Sequence, residues 1–169
     1  MLWNLKISRS DLAELGAGLG ADVPVFVHGD SAWGEGIGGT LTPVTLPHRY
    51  FAVVKPPCSV LTASVFNAPE LTRNSPPMTI CGFLSDGGGN DCLAVVRNRF
   101  PAVGAALDWL GRHGDARLTG TGACVFAAFE RQDEAEAVIA AMPPEYEGFA
   151  ARGVDRSPLQ AAVAKLEGG

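Results

Sequence analysis

The sequence predicts an α+β protein in two parts, a short lead-in followed by a larger half that could fold alone. Three observations carry this. From residue 50 onward, apolar runs with strand or helix periodicity follow in the order strand, helices, strand, strand, helix, strand. That order is the split β-α-β arrangement of a ferredoxin-like α+β sandwich. Apolar residues make up 47% of the 169 residues, enough for a core and against disorder. Before residue 50 the signals are short and few, and fit one helical stretch and one pair of strands.

In order along the chain, Ser8-Arg9-Ser10-Asp11 is a helix-start signal. Leu12, Leu15 and Leu19 follow at helical spacing, and Leu2, Trp3 and Leu5 form an apolar lead-in. Gly16, Gly18 and Gly20 end that run. Asp22 comes next, then Pro24, tolerated in the first turn of a second helix over 22–27 because its missing N–H would be unpaired there. Asp22 thus stands at a helix N-terminus, where free amides and the helix dipole favour negative charge; on local pattern alone, an acid there is most often a cap. Residues 31–36 and 40–45 read as two short strands about a Gly38-Gly39 turn. An isolated pair exposes unpaired backbone and an apolar face, so this part is expected to be poorly stabilised or covered by another chain.

Residues 50–54 read as a strand halted by Lys55-Pro56-Pro57, and 62–66 as one or two helical turns. Residues 69–89, rich in Pro, Ser, Asp and Gly, read as the longest loop. Gly87-Gly88-Gly89 lacks the Lys-Ser/Thr that follows a phosphate loop, and reads as a flexible turn. Asn90-Asp91 caps a helix to Arg99, and Pro101 restarts it with Val103, Leu107 and Leu110 as its apolar stripe. Leu118 and 125–129 read as strands about Gly120-Thr121-Gly122, 132–142 as an alanine-rich helix, 149–154 as a last strand. The tail after Pro158 reads as a short helix before a frayed Gly168-Gly169.

A formal charge of −5 argues against a general nucleic-acid binder, which needs a basic face. It leaves room for a nucleotide site built from backbone amides and a metal ion. Cys58, Cys81, Cys92 and Cys124 are scattered without a CxxC pair, which fits neither a zinc site nor a disulfide framework; they read as buried, reduced thiols. His28, His48 and His113 show no ligand spacing. No apolar run reaches membrane-spanning length and no signal sequence opens the chain, so a soluble, cytoplasmic protein is expected. Thr119-Gly120-Thr121-Gly122 permits a turn whose N–H groups converge as an anion nest, with a plain strand-connecting turn as the alternative.

Several segments, taken together in their order, resemble one kinase superfamily, that of galactokinase, homoserine kinase, mevalonate kinase and phosphomevalonate kinase. They are Leu19-Gly20-Ala21-Asp22-Val23-Pro24-Val25-Phe26, Trp33-Gly34-Glu35-Gly36, Leu41-Thr42-Pro43-Val44, Val60-Leu61-Thr62-Ala63-Ser64-Val65-Phe66, Asn90-Asp91, Arg117-Leu118-Thr119-Gly120-Thr121-Gly122-Ala123-Cys124-Val125-Phe126, Gly153-Val154 and Ser157-Pro158-Leu159. The resemblance runs over about residues 1–160. It implies an ATP-dependent kinase, with magnesium as the metal, that phosphorylates the 2-hydroxyl of a cytidine-diphosphate-linked methylerythritol in non-mevalonate isoprenoid biosynthesis. It implies Asp22 as the acid beside the acceptor hydroxyl, and Thr119, Gly120, Thr121 and Gly122 as a loop near the phosphates. Thr62 and Phe66 are implied to line the pocket for the cytidine end, although Ala63 stands where the family commonly has Pro. Read this way, 1–48 is a remnant of the N-terminal kinase domain, 49–160 a ferredoxin-like C-terminal kinase domain, and 161–169 a tail. The family's early lysine and Gly/Ser-rich ATP loop have no match before Asp22. The chain is therefore expected to be the C-terminal part of such a kinase, inactive alone, and to associate with a missing half or with itself through exposed apolar surface. A non-catalytic ferredoxin-like ligand-binding or dimerisation module, or a related kinase of the same superfamily, are the alternatives.

Overall fold

The computed structural model describes residues 7–36, 38 and 40–167. Leu2, Trp3, Leu5, Gly39, Gly168 and Gly169 lie outside the described residues. The chain forms two compact units, one of residues 1–47 with 154–169 and one of residues 48–153.

In the first unit, helix α1 (Arg9–Ala17) starts at Ser8, whose Oγ accepts the Asp11 N–H at 3.1 Å. It does not bury the leucine stripe that its spacing suggested. Ala13 and Gly16 are buried, and Leu12, Leu15 and Leu19 are exposed. The reason is close helix approach: a Cβ at Gly16 would lie 2.6 Å from Val23 Cγ1 of helix α2 (Val23–His28). Helix α2 carries Pro24 in its first turn and ends at Gly29, whose φ of 75° is left-handed. Strands β1 (Ala32–Glu35) and β2 (Thr40–Pro43) pair antiparallel as a two-stranded sheet, with Trp33 opposite Thr42. The chain returns to this unit after residue 153 through specific bonds. Ser31 N–H donates to the Asp155 carbonyl at 2.8 Å, and Ser157 N–H donates to the Gly29 carbonyl at 2.7 Å. Arg9 Nη2 donates to Oε1 of Gln160, in the helix Pro158–Glu167, at 2.8 Å.

The second unit has strand β3 (Tyr50–Lys55), helices α3 (Thr62–Phe66), α4 (Ile80–Asp86), α5 (Cys92–Arg99) and α6 (Pro101–Leu110), strands β4 (Arg117–Leu118) and β5 (Val125–Phe129), helix α7 (Gln132–Ala140) and strand β6 (Glu147–Arg152). Its four-stranded sheet has the order β4-β5-β3-β6, antiparallel throughout. Strand–helix–strand connections that each leave a gap for a third strand give this order, so the ferredoxin-like expectation holds. Alternate residues Ala52 and Val54 of β3, and Val125 and Ala127 of β5, are fully buried. Val95 and Val96 of α5 and Val103, Ala106, Leu107 and Leu110 of α6 complete the same core. Removing a fully buried leucine such as Leu110 costs about 2–5 kcal/mol when it is cut to alanine.

Two details differ from the expectation. Residues 69–89 are not loop throughout: α4 lies within them, started by Thr79, whose Oγ1 accepts the Gly82 N–H at 3.1 Å. The four cysteines are free thiols, but Cys81 is exposed and the other three are half-buried rather than buried. Among the described residues no helix is long and apolar enough to cross a membrane.

Candidate functional site

The second unit contains a cavity of about 680 Å³. Its walls come from α3, α4, the glycine turn before α5, β4 and the loop that follows β4.

Helix α3 is short and is fixed by its neighbours rather than by its own length. Val65 is fully buried and anchors it. Arg73 Nη2 donates to the carbonyls of Phe66 at 2.7 Å and Ala68 at 3.1 Å, satisfying the helix's open C-terminal end. Arg99 donates to the Ser64 carbonyl at 3.4 Å while gripping Glu70 with two bonds of 2.6 and 2.8 Å. The Arg99 guanidinium holds the Glu70 carboxyl below the usual carboxylate range. Phe66, next to the buried Val65, is 52% exposed and lines the cavity.

The loop between β4 and β5 closes on itself. Thr119 N–H donates to the Cys124 carbonyl at 3.1 Å, and Gly122 N–H donates to the Thr119 carbonyl at 2.9 Å. Gly120 and Gly122 take φ values of 54° and 88°, which glycine adopts without strain. The turn-closing bonds leave the Gly120 and Thr121 amides outside them. A Cβ at Gly120 would meet nothing within 4 Å, so the space beside this glycine is open. Gly122 is enclosed: a Cβ there would sit 3.3 Å from Leu118 and 3.5 Å from Val96. The loop is tied to α3 by the Thr62 and Thr121 hydroxyls, 3.1 Å apart.

A cation stands in the wall. Arg117 donates through Nε to Asp115 at 2.8 Å and through Nη1 to the Gly88 carbonyl at 3.3 Å. Its guanidinium rests on the glycine turn, for a Cβ at Gly87 would lie 2.5 Å from Nη2. Gly87 and Gly88 are thus a seat for Arg117 and for the Phe83 ring, which lies 2.9 Å from where a Gly88 Cβ would be. Burial raises the Cys92 thiol, with the Asp91 charge adding to it, so this cavity-lining sulfur stays protonated at neutral pH.

Asp22 belongs to the first unit. It occupies the N-cap position of α2 in an αR conformation and is exposed, and its side chain makes no capping hydrogen bond. The carboxylate is therefore not spent on capping. Of the residues singled out from sequence, Phe66, Gly120 and Thr121 line one cavity, Thr62 is bonded to Thr121, and Thr119 and Gly122 shape the turn. Sequence reasoning placed none of Phe83, Arg117 and Asn90 at a cavity, although all three line it. Arg117 and Asn90 lay inside recognised segments; Phe83 is an apolar residue in a stretch read as loop. Among the described residues no group of three or more His, Cys, Asp or Glu could hold a metal ion.

Residues 78–148 match the family model described as GHMP kinases C terminal. That span runs from just before α4 into β6 and includes Asn90, Arg117 and the Gly-Thr loop. Among individual proteins, the chain is similar to 4-diphosphocytidyl-2-C-methyl-D-erythritol kinase of Halorhodospira halophila, at 48% identity over 97% of this chain and 58% of the relative. The enzymes of the same name from Thiobacillus denitrificans and Alkalilimnicola ehrlichii are 49% and 52% identical over 94% of this chain, which covers 57% and 54% of them. A crystal structure of 4-(cytidine 5'-diphospho)-2C-methyl-D-erythritol kinase is also similar, with a TM-score of 0.72 and 26% identity over 89% of this chain and 59% of that one. The chain thus spans a little over half the length of the curated relatives it matches.

Proposed function

We propose that these residues form the substrate-binding part of a cytoplasmic, ATP-dependent kinase that phosphorylates the 2-hydroxyl of 4-diphosphocytidyl-2-C-methyl-D-erythritol in non-mevalonate isoprenoid biosynthesis. The observation that carries this reading is the meeting of Phe66 with Gly120 and Thr121 in one cavity, with Thr62 bonded to Thr121. A cytosine ring stacks on Phe66, a contact that contributes about 1–3 kcal/mol. The diphosphate then lies toward the Gly-Thr amides and the Arg117 cation, which suit its charge.

Phosphoryl transfer asks the protein mainly for positioning and electrostatic stabilisation. In a whole kinase the acceptor oxygen would bond to the γ-phosphorus as the bond to the β–γ bridging oxygen breaks, and the hydroxyl proton would pass to the Asp22 carboxylate. An exposed carboxylate with no capping bond fits that task. Magnesium would reach such a site on phosphate oxygens and would then need only one or two protein carboxylates.

The ATP-binding pattern of the superfamily is not within the 169 residues. Alone, they are expected to bind the cytidine end and to lack turnover. Calorimetry with cytidine diphosphate and with adenosine diphosphate tests this: the first binds and the second does not. Adenosine binding without cytidine binding, or steady ADP release from ATP and the methylerythritol substrate by the purified 169-residue chain, overturns it.

A further inference from the structure

Asn90 does more than start a helix. Its Oδ1 accepts the Cys92 N–H at 2.9 Å, capping α5, a task that Ser, Thr or Asp would perform as well. Asn alone among these four also offers a two-hydrogen donor, and both hydrogens find carbonyls across the cavity wall. Nδ2 donates to the Leu118 carbonyl at 3.1 Å and to the Gly120 carbonyl at 2.8 Å. Those two carbonyls bracket the first half of the Gly-Thr loop.

The consequence follows from peptide geometry. In a planar trans peptide the C=O and the following N–H point in opposite directions. Pinning the Gly120 oxygen toward α5 therefore turns the Thr121 N–H the other way. The Thr121 hydroxyl is held independently by Thr62 at 3.1 Å. One peptide is thus fixed through its carbonyl and through the side chain that follows it. We propose that Asn90 is a positioning residue that aims the Thr121 amide at a ligand phosphate, fixing the anion nest from the N-terminus of α5. This rests on the phosphate role proposed above for the loop.

Two substitutions separate aiming from capping and from charge. Asn90→Asp and Asn90→Ser both keep a capping acceptor for the Cys92 N–H and lose the two Nδ2 donors, Ser offering a single shorter O–H in their place, and only the first adds a negative charge. In the free chain, hydrogen exchange at the Thr119 and Gly122 amides, whose bonds close the turn, is expected to accelerate about tenfold or more in both variants, with 132–140 unchanged. By calorimetry, affinity for cytidine diphosphate is expected to fall about tenfold in both, with affinity for cytidine within about twofold of the starting chain. A merely structural residue would weaken both ligands together. Unchanged exchange at Thr119 and Gly122, equal losses for the two ligands, or an Asn90→Ser chain with unaltered diphosphate affinity overturns the proposal. A starting chain that binds cytidine and its diphosphate equally removes the phosphate role of the loop itself, and the aiming role with it.

Discussion

Val65 and Phe66 are adjacent in α3, yet truncating them should have opposite consequences. Val65 is fully buried in the core of the second unit, whereas Phe66 is 52% exposed at the cavity. Val65→Ala removes two buried carbon atoms, worth about 1.6 kcal/mol by transfer, and leaves a cavity that raises the loss to about 2–3 kcal/mol. Phe66→Ala removes a larger side chain, but half of it already faces water, so its loss of stability is about 1 kcal/mol. Binding reverses the order. Losing the stacking surface weakens cytidine diphosphate by about 1–3 kcal/mol, roughly 5- to 150-fold in Kd. Val65→Ala should leave the Kd within about threefold wherever the chain is folded, because Val65 does not line the cavity. Urea unfolding gives the stabilities and calorimetry the affinities. A Phe66→Ala chain that is destabilised as much as Val65→Ala while keeping its affinity would refute the assignment of this ring to the ligand.

The Gly-Thr loop should tolerate a methyl group unequally. Gly120→Ala meets only the strain of a left-handed φ, about 1 kcal/mol, whereas Gly122→Ala adds crowding against Leu118 and Val96 and should cost roughly twice as much in urea unfolding. Amides of the two-stranded β1–β2 sheet should exchange about a hundredfold faster than those of β3 and β5 in a monomer; equal protection would contradict the reading of that sheet as poorly stabilised. Arg99 depresses Glu70 in the folded state, so the pair contributes stability that is complete above the usual glutamate range and is lost as pH falls through the lowered value. Glu70→Gln should therefore flatten the fall of the urea midpoint below about pH 4, by a small margin because the pair is partly exposed. In a chimera joining the preceding residues of the Halorhodospira halophila relative to this chain, Asp22→Asn should lower kcat by about 10²- to 10⁴-fold with little change in cytidine diphosphate affinity; a kcat within about threefold would remove Asp22 from proton transfer.

What could be read from sequence followed from local physics. The caps at Ser8 and Asn90, Pro24 in the first turn of α2 and the two-residue alternation of β3 and β5 each depend on neighbours within a few positions. Helix α4 was hidden because Pro, Ser and Gly dominate 69–89, although Thr79 was a sound cap signal. The leucines of α1 misled because periodicity shows that a face is apolar, and Gly16 decided which face meets α2. At the site, Thr62 and Thr121 were named separately, and nothing local joins residues 59 positions apart. The donors of Asn90 were equally invisible, since the carbonyls that they reach lie 28 and 30 residues further on.

The claim beneath all of this is that the cavity between α3 and the Gly-Thr loop receives a cytidine diphosphate group. Titrating cytidine diphosphate into the ¹⁵N-labelled chain and following amide chemical shifts tests it most directly. The account predicts the largest shifts at Phe66, Gly120 and Thr121, with smaller ones at Asn90 and Arg117. Saturable shifts centred on α7 or β6 with these amides still, or no shifts at millimolar ligand, would contradict it.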